Sequence, residues 1–179
     1  MLAYVFWHWA QSEHAGATYE RDLRAFHAAL QQAAPAGFVS SGVFRLQGQA
    51  PWLGGEPAYA DWYLVDGSAA LDPLNVAAVS SMCEAPHTRV AHAMAGGAGS
   101  LFALRGEHAK LSAARHAYLL TKPRAMPYQD FYSAAEALPG SLWRRQMVLG
   151  PTPEFCLLTH APAAVVDTFQ PLRLDLRPL

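Results

Sequence analysis

The sequence is short of charge. Aspartate, glutamate, lysine and arginine make up 15% of 179 residues, against roughly 25% in ordinary soluble domains. The signs nearly cancel, since 13 basic and 14 acidic residues leave a formal net charge of −1. That balance argues against a strongly basic nucleic-acid binder. Lysine is almost missing, with Lys110 and Lys122 alone. Arginine and alanine are plentiful, so this reads as base-composition bias. Cysteine is limited to Cys83 and Cys156, far apart and without CxxC spacing, which excludes a zinc knuckle or a thioredoxin motif. One disulfide is open to the pair, and reduced, partly buried thiols fit better. No apolar run reaches the roughly 18 residues of a membrane span. The opening MLAYVFWHW has no basic n-region and is interrupted by His8. It does not read as a secretory signal, and the expected location is cytoplasmic. HExxH, GxSxG and paired-carboxylate motifs are absent too.

What the sequence has instead is apolar surface, at 52% of residues, enough for a sizeable core in one domain or in two small ones pressed together. The elements come in a repeated order. Tyr4 to Trp9 is β-rich. Thr18 is placed to cap a helix whose apolar stripe is Tyr19, Leu23, Phe26 and Leu30 and which Pro35 and Gly37 stop. Phe38 to Leu46 and Asp61 to Asp66 read as strands, Ser68 to Met82 as a helix, and Gly99 to Arg105 as a fourth strand. The second half gives a strand at Ala117 to Lys122 and a helix opened by Pro127 with the stripe Tyr128, Phe131, Ala135 and Leu138. Strands at Leu142 to Leu149 and Glu154 to Thr159, a short helix from Pro162 to Phe169 and a strand at Leu172 to Leu176 complete it. Asp61-Trp62-Tyr63-Leu64-Val65-Asp66 matches Glu154-Phe155-Cys156-Leu157-Leu158-Thr159 in character. The order in each half is βαββαβ.

Two such units in one chain resemble the dimeric α/β-barrel superfamily of ferredoxin-like folds, here as a tandem duplication. The resemblance implies an α+β fold with a first repeat over residues 1–107 and a second over 115–179, packed as one unit. It implies two antiparallel sheets that face each other with helices outside. Each sheet then buries both faces, which fits the low charge.

Strand side chains alternate faces. Tyr4, Phe6 and His8 share one face, as do Tyr63 and Val65, Tyr118, Leu120 and Lys122, and Cys156, Leu158 and His160. These faces are assigned to the interior between the sheets, and Trp62, Leu64, Phe155 and Leu157 to the helix side. A register error of one residue would invert the assignment. His8 is either a strand-end histidine bonded to a backbone carbonyl or a general base in a pocket. Lys122 holds the matching place in the second repeat, where a snorkelling lysine is the common alternative. Arg144 and Arg145 are adjacent in an apolar strand, so one must point inward or reach past an edge. Such an arginine needs an anionic ligand or a carboxylate, of which Asp61 and Glu154 are the nearest. His160 ends a strand, where exposure is the ordinary outcome.

Four other features are weaker. Gly96-Gly97-Ala98-Gly99-Ser100 has the composition of a phosphate loop, but the order of elements around it favours helix termination. Cys83, His87 and His92 could bind a metal only if aligned, and Pro86 is read as breaking the helix that would align them. Trp52 stands on a loop, where it could cover a pocket mouth or an oligomer contact. No histidine stands clearly on an inward helix face as a haem ligand, and no cofactor is expected.

Proteins resembling this architecture include cofactor-independent monooxygenases, muconolactone isomerases and haem-dependent peroxidases. The resemblance therefore implies a pocket between the sheets for a small apolar or aromatic molecule. Tyr4, Phe6, Tyr63, Tyr118, Trp143, Arg144 and Arg145 would line it, and His8, Lys122 and His160 would be candidates to move a proton. A non-catalytic module with a filled barrel is the alternative. Neither a nucleic acid nor a membrane is an expected partner, and both monomer and homodimer are open.

Overall fold

A computed structural model describes residues 1–106 and 110–179 of the chain. The position-107 boundary of the first expected repeat lies outside the described residues. Eight antiparallel strands close into a barrel: β1 (Leu2–Ala10), β2 (Phe38–Gln47), β3 (Ala58–Val65), β4 (Met94–Arg105), β5 (His116–Leu120), β6 (Ser141–Arg145), β7 (Phe155–Thr159) and β8 (Leu172–Pro178). Around the ring the order is β1-β3-β2-β8-β5-β7-β6-β4. Read from the fourth strand, the first half runs β4-β1-β3-β2 and the second β8-β5-β7-β6, the same pairing order twice. The halves join along two short seams, β2–β8 and β4–β6.

Helices α1 (Ala17–Ala33), α2 (Leu71–Ala78) and α3 (Glu84–Ala93) cover the first half, and α4 (Tyr128–Glu136) covers the second. The amphipathic stripe of α1 is as expected, but its N-cap is Gly16 rather than Thr18. Ala34 ends it in the left-handed region, ahead of Pro35. The expected helix over Ser68 to Met82 ends at Ala78, and a separate α3 follows, running through the Pro86 that was read as a helix breaker. Pro86 is the third residue of α3, where its missing N–H has no intrahelical partner to lose, so it is tolerated instead of breaking the helix. In the second half, β6 stops at Arg145 instead of running to Leu149, and Met147 turns back with φ 51°. Pro162 to Phe169 forms only a 3-10 turn at Asp167–Phe169. Its β-branched pair Val165-Val166 gives little support to a helix.

The barrel interior is packed. Val5 and Trp7 of β1, Trp62 and Leu64 of β3, Phe102 of β4, Leu119 of β5, Trp143 of β6 and Cys156 of β7 meet there. Trp62 packs edge-on against Trp143 at 5.7 Å and parallel to Phe102 at 6.1 Å. Trp52 closes one end against Trp7, with ring centres 5.7 Å apart. The expected interior faces are therefore inverted for β1, β3 and β5: Tyr4, Phe6, His8, Tyr63 and Tyr118 point outward. Cys156 and Leu158 point inward as assigned. This also corrects the match between halves by one residue. Trp62 corresponds to Cys156, and Asp61 to Phe155, because Phe6 pairs with Asp61 where Leu120 pairs with Phe155.

The glycine-rich run lies inside β4 and does not terminate a helix. Bare backbone is needed there because aromatic side chains of β1 lean across it. A Cβ at Gly97 would come within 2.5 Å of the Phe6 ring, and one at Gly99 within 3.0 Å of the Tyr4 hydroxyl. Cys83 and Cys156 are both buried free thiols in different layers, the first under the helices and the second in the barrel.

Candidate functional site

Tyr4, Phe6 and His8 stand in a row on the outer face of β1, beside Asp61 and Tyr63 of β3. Helices α1, α2 and α3 arch over this face without filling it. The space left is a cleft of about 510 Å³, walled by Phe26 and Leu30 of α1, Leu71 and Leu74 of α2 and His87 and Val90 of α3. That volume falls in the range of roughly 300–1,000 Å³ typical of small-molecule sites. The aromatic rings of the floor are nearly parallel. Tyr4 and Phe6 are inclined by 20°, Phe6 and His8 by 17°, and Tyr4 and Tyr63 by 21°.

A charged network lies under the apolar walls. Asp61 is 3% exposed and sits at its centre. Its Oδ1 is 3.2 Å from His8 Nε2 and 3.5 Å from His27 Nε2, and its Oδ2 accepts the Tyr63 hydroxyl at 3.0 Å. His8 Nδ1 lies 2.7 Å from the Tyr19 hydroxyl, and His27 Nδ1 lies 2.8 Å from the Ser41 hydroxyl. Nε2 of His8 is directed at the carboxylate and Nδ1 at the Tyr19 hydroxyl. Burial works to raise the Asp61 carboxyl, but His8 and His27 outweigh it and hold the group well below the usual carboxylate range. Burial, with the Asp61 charge added, pushes the Tyr19 and Tyr63 phenols well above theirs. The site thus keeps one carboxylate ionised and its neighbouring phenols protonated. Both nitrogens of His8 are engaged by protein groups, Nε2 by Asp61 and Nδ1 by Tyr19.

Tyr4, Phe6, His8 and Tyr63 therefore converge on one cleft, although on the outside of the sheet. The other expected site residues do not join them. Lys122 lies beyond the end of β5 and donates to the carbonyls of Pro123 (2.9 Å) and Met126 (2.7 Å). Tyr118 is packed in the outer layer of the second half, where its hydroxyl accepts the Ala163 N–H at 3.0 Å. Trp143 belongs to the barrel core. Arg144 takes the ion-pair alternative with Glu154 at 2.9 Å. Arg145 donates to the carbonyls of Gly150 and Thr152 and fastens the turn after β6. His160 is exposed at the lip of a small cavity of about 90 Å³ at the barrel end, which Trp143 also lines.

Three residues of the network went unrecognised in the sequence. His27 is on the inward face of α1, beside Phe26 and one turn from Leu23 and Leu30, so the helical stripe already included it. It corrects the expectation that no histidine takes such a place. Tyr19 was assigned only to packing. Asp61 was considered only as an arginine partner, yet a single acid within Ala58–Val65, every residue of which is buried, is itself the signal.

The equivalent place in the second half is solid. Phe155 occupies the position of Asp61 and packs against Phe131 at 4.3 Å, and Phe169 lies 4.8 Å from Phe131. Among the described residues no group of three or more His, Cys, Asp or Glu side chains is arranged to hold a metal ion, and no helix is long and apolar enough to cross a membrane. No protein-family model and no curated protein matches the chain, so the functional reading rests on the chemistry of this cleft.

Proposed function

We propose that the chain is a tandem ferredoxin-like α/β barrel that binds one small, largely apolar or aromatic molecule in the outer cleft of its first half. The pairing order that recurs in the two halves supports the duplication. The observation that carries the binding reading is the cleft itself: an apolar-walled space of about 510 Å³ over a buried, ionised Asp61. Ligand sites pair such walls with a few fixed polar groups. A domain that needed only stability would fill the space, as Phe131, Phe155 and Phe169 fill its counterpart.

The network of Tyr63, Asp61, His8 and Tyr19 gives the floor a fixed charge distribution and an unbroken hydrogen-bonded path. An activity of the isomerase or cofactor-independent kind, in which a proton would travel along that path, is the one to screen first. The test is a thermal-shift screen with neutral and acidic aromatic compounds on the full chain and on Ala78→Trp, which fills the cleft from α2. A ligand at about 100 times its Kd stabilises by ~2.7 kcal/mol, or about 5–11 °C at this chain length. That shift is expected in the parent and should vanish in Ala78→Trp. Equal shifts in both proteins would refute the cleft as the site.

A further inference from the structure

The polar groups of the cleft divide into two sets. His8, Asp61 and Tyr63 are tied to one another or to Tyr19. Tyr4, Asn75 and His87 line the same cleft, and no side-chain hydrogen bond engages them among the described residues. Asn75 is exposed on α2 and His87 is half-buried on α3, so both belong to the walls. Tyr4 belongs to the floor. It is half-buried between Phe6 and Tyr63, and its hydroxyl reaches across β4 at Gly99, where only a glycine leaves it room. Burial and the nearby Asp61 charge raise its phenol, so the group stays protonated and offers a donor.

Resting on the binding reading above, we infer that the cleft takes a flat, neutral aromatic carbonyl compound, an aryl ketone or quinone, whose oxygen accepts the Tyr4 hydroxyl. The near-parallel rings of Tyr4, Phe6 and Tyr63 favour a planar ligand. A donor without a protein partner favours an acceptor on that ligand, and a carbonyl oxygen is the acceptor that a conjugated ring system carries in its own plane. Tyr4 is then a specificity-determining residue, and the apolar walls bind the ring whatever it carries.

The experiment titrates the full chain with acetylnaphthalene and with ethylnaphthalene, which share the ring and the two-carbon side chain and differ in the carbonyl oxygen, and reads tryptophan fluorescence. The parent should prefer the ketone by about fivefold to tenfold, the size of one neutral hydrogen bond. Tyr4→Phe should bring that ratio close to one and leave the affinity for ethylnaphthalene and the melting temperature unchanged. A ratio that survives Tyr4→Phe, or a loss shared by both compounds, overturns the role of Tyr4. If the parent binds both compounds equally, the carbonyl assignment falls and the cleft stands. If it binds neither, the binding reading falls with it.

Discussion

Replacing Asp61 by Asn tests whether the charge under the cleft is structural. The substitution keeps the shape and removes the charge. His8 Nε2 at 3.2 Å and the Tyr63 hydroxyl at 3.0 Å would each exchange a charge-assisted bond for a neutral one. The first kind contributes about 1.5–3 kcal/mol and the second about 0.5–1.5. Two such exchanges, together with the lost attraction to His27 at 3.5 Å, come to roughly 2–3 kcal/mol. Relief of the carboxylate's desolvation offsets part of this, so a net loss of about 1–3 kcal/mol is expected. The sign of the pH dependence follows from the depressed carboxyl. The unfolded chain holds the Asp61 proton at the ordinary value, near 4, and the folded chain well below it. The stabilisation is therefore complete above the unfolded value and fades as pH falls through the folded one. Urea unfolding of parent and variant at about pH 5 and about pH 3 reads the difference directly. It should be largest at the higher pH and shrink at the lower. A difference that grows in acid, or is absent at both values, would refute the network as described.

Other outcomes follow from the same geometry. Trp143→Ala, in the packed barrel, should cost about 3–5 kcal/mol in chemical denaturation, whereas a ligand-contact role would leave stability nearly unchanged. Gly99→Ala places a methyl 2.9 Å from the Tyr4 ring. It should weaken aromatic binding several-fold in a titration while circular dichroism stays that of the parent. Lys122→Ala should leave cleft binding untouched and lower stability by about 1 kcal/mol, since its ammonium serves two local carbonyls. Arg145→Ala should free the turn from Gln146 to Gly150, read as faster proteolytic nicking there.

The strands and the first helix were legible because their local patterns are strong. Tyr4 to Trp9 is β-rich without a break, and Tyr19, Leu23, Phe26 and Leu30 leave one reading. Which face of each strand looks inward was not legible. A sheet covered on both sides is apolar on both sides, and Trp62 and Tyr63 qualify equally well for either layer. Helix α3 was hidden by Pro86, whose effect depends on whether it falls in the first turn or the third. The glycines of β4 suggested a loop until Tyr4 and Phe6 were seen lying across them. Asp61, Tyr19 and His27 meet only through the topology, from a strand and a helix that the sequence separates by a second strand and a long loop. A resemblance of architecture supplies the order of the elements and leaves both the layer and the contacts of such residues to the fold.

Two halves of one ring that are written out separately in a single chain need not change together. In an assembly of identical copies, a mutation that hollows one outer layer hollows the other, and the whole bears the loss twice. Here Phe131, Phe155 and Phe169 remain as ballast on one side. The other side carries an open space, whose lining forgoes packing contacts that the filled side keeps. The closed ring of strands joins the two sides along both seams, so neither sheet is left with a free edge. Substitutions around the cleft can then be made without touching the phenylalanine layer on the opposite side.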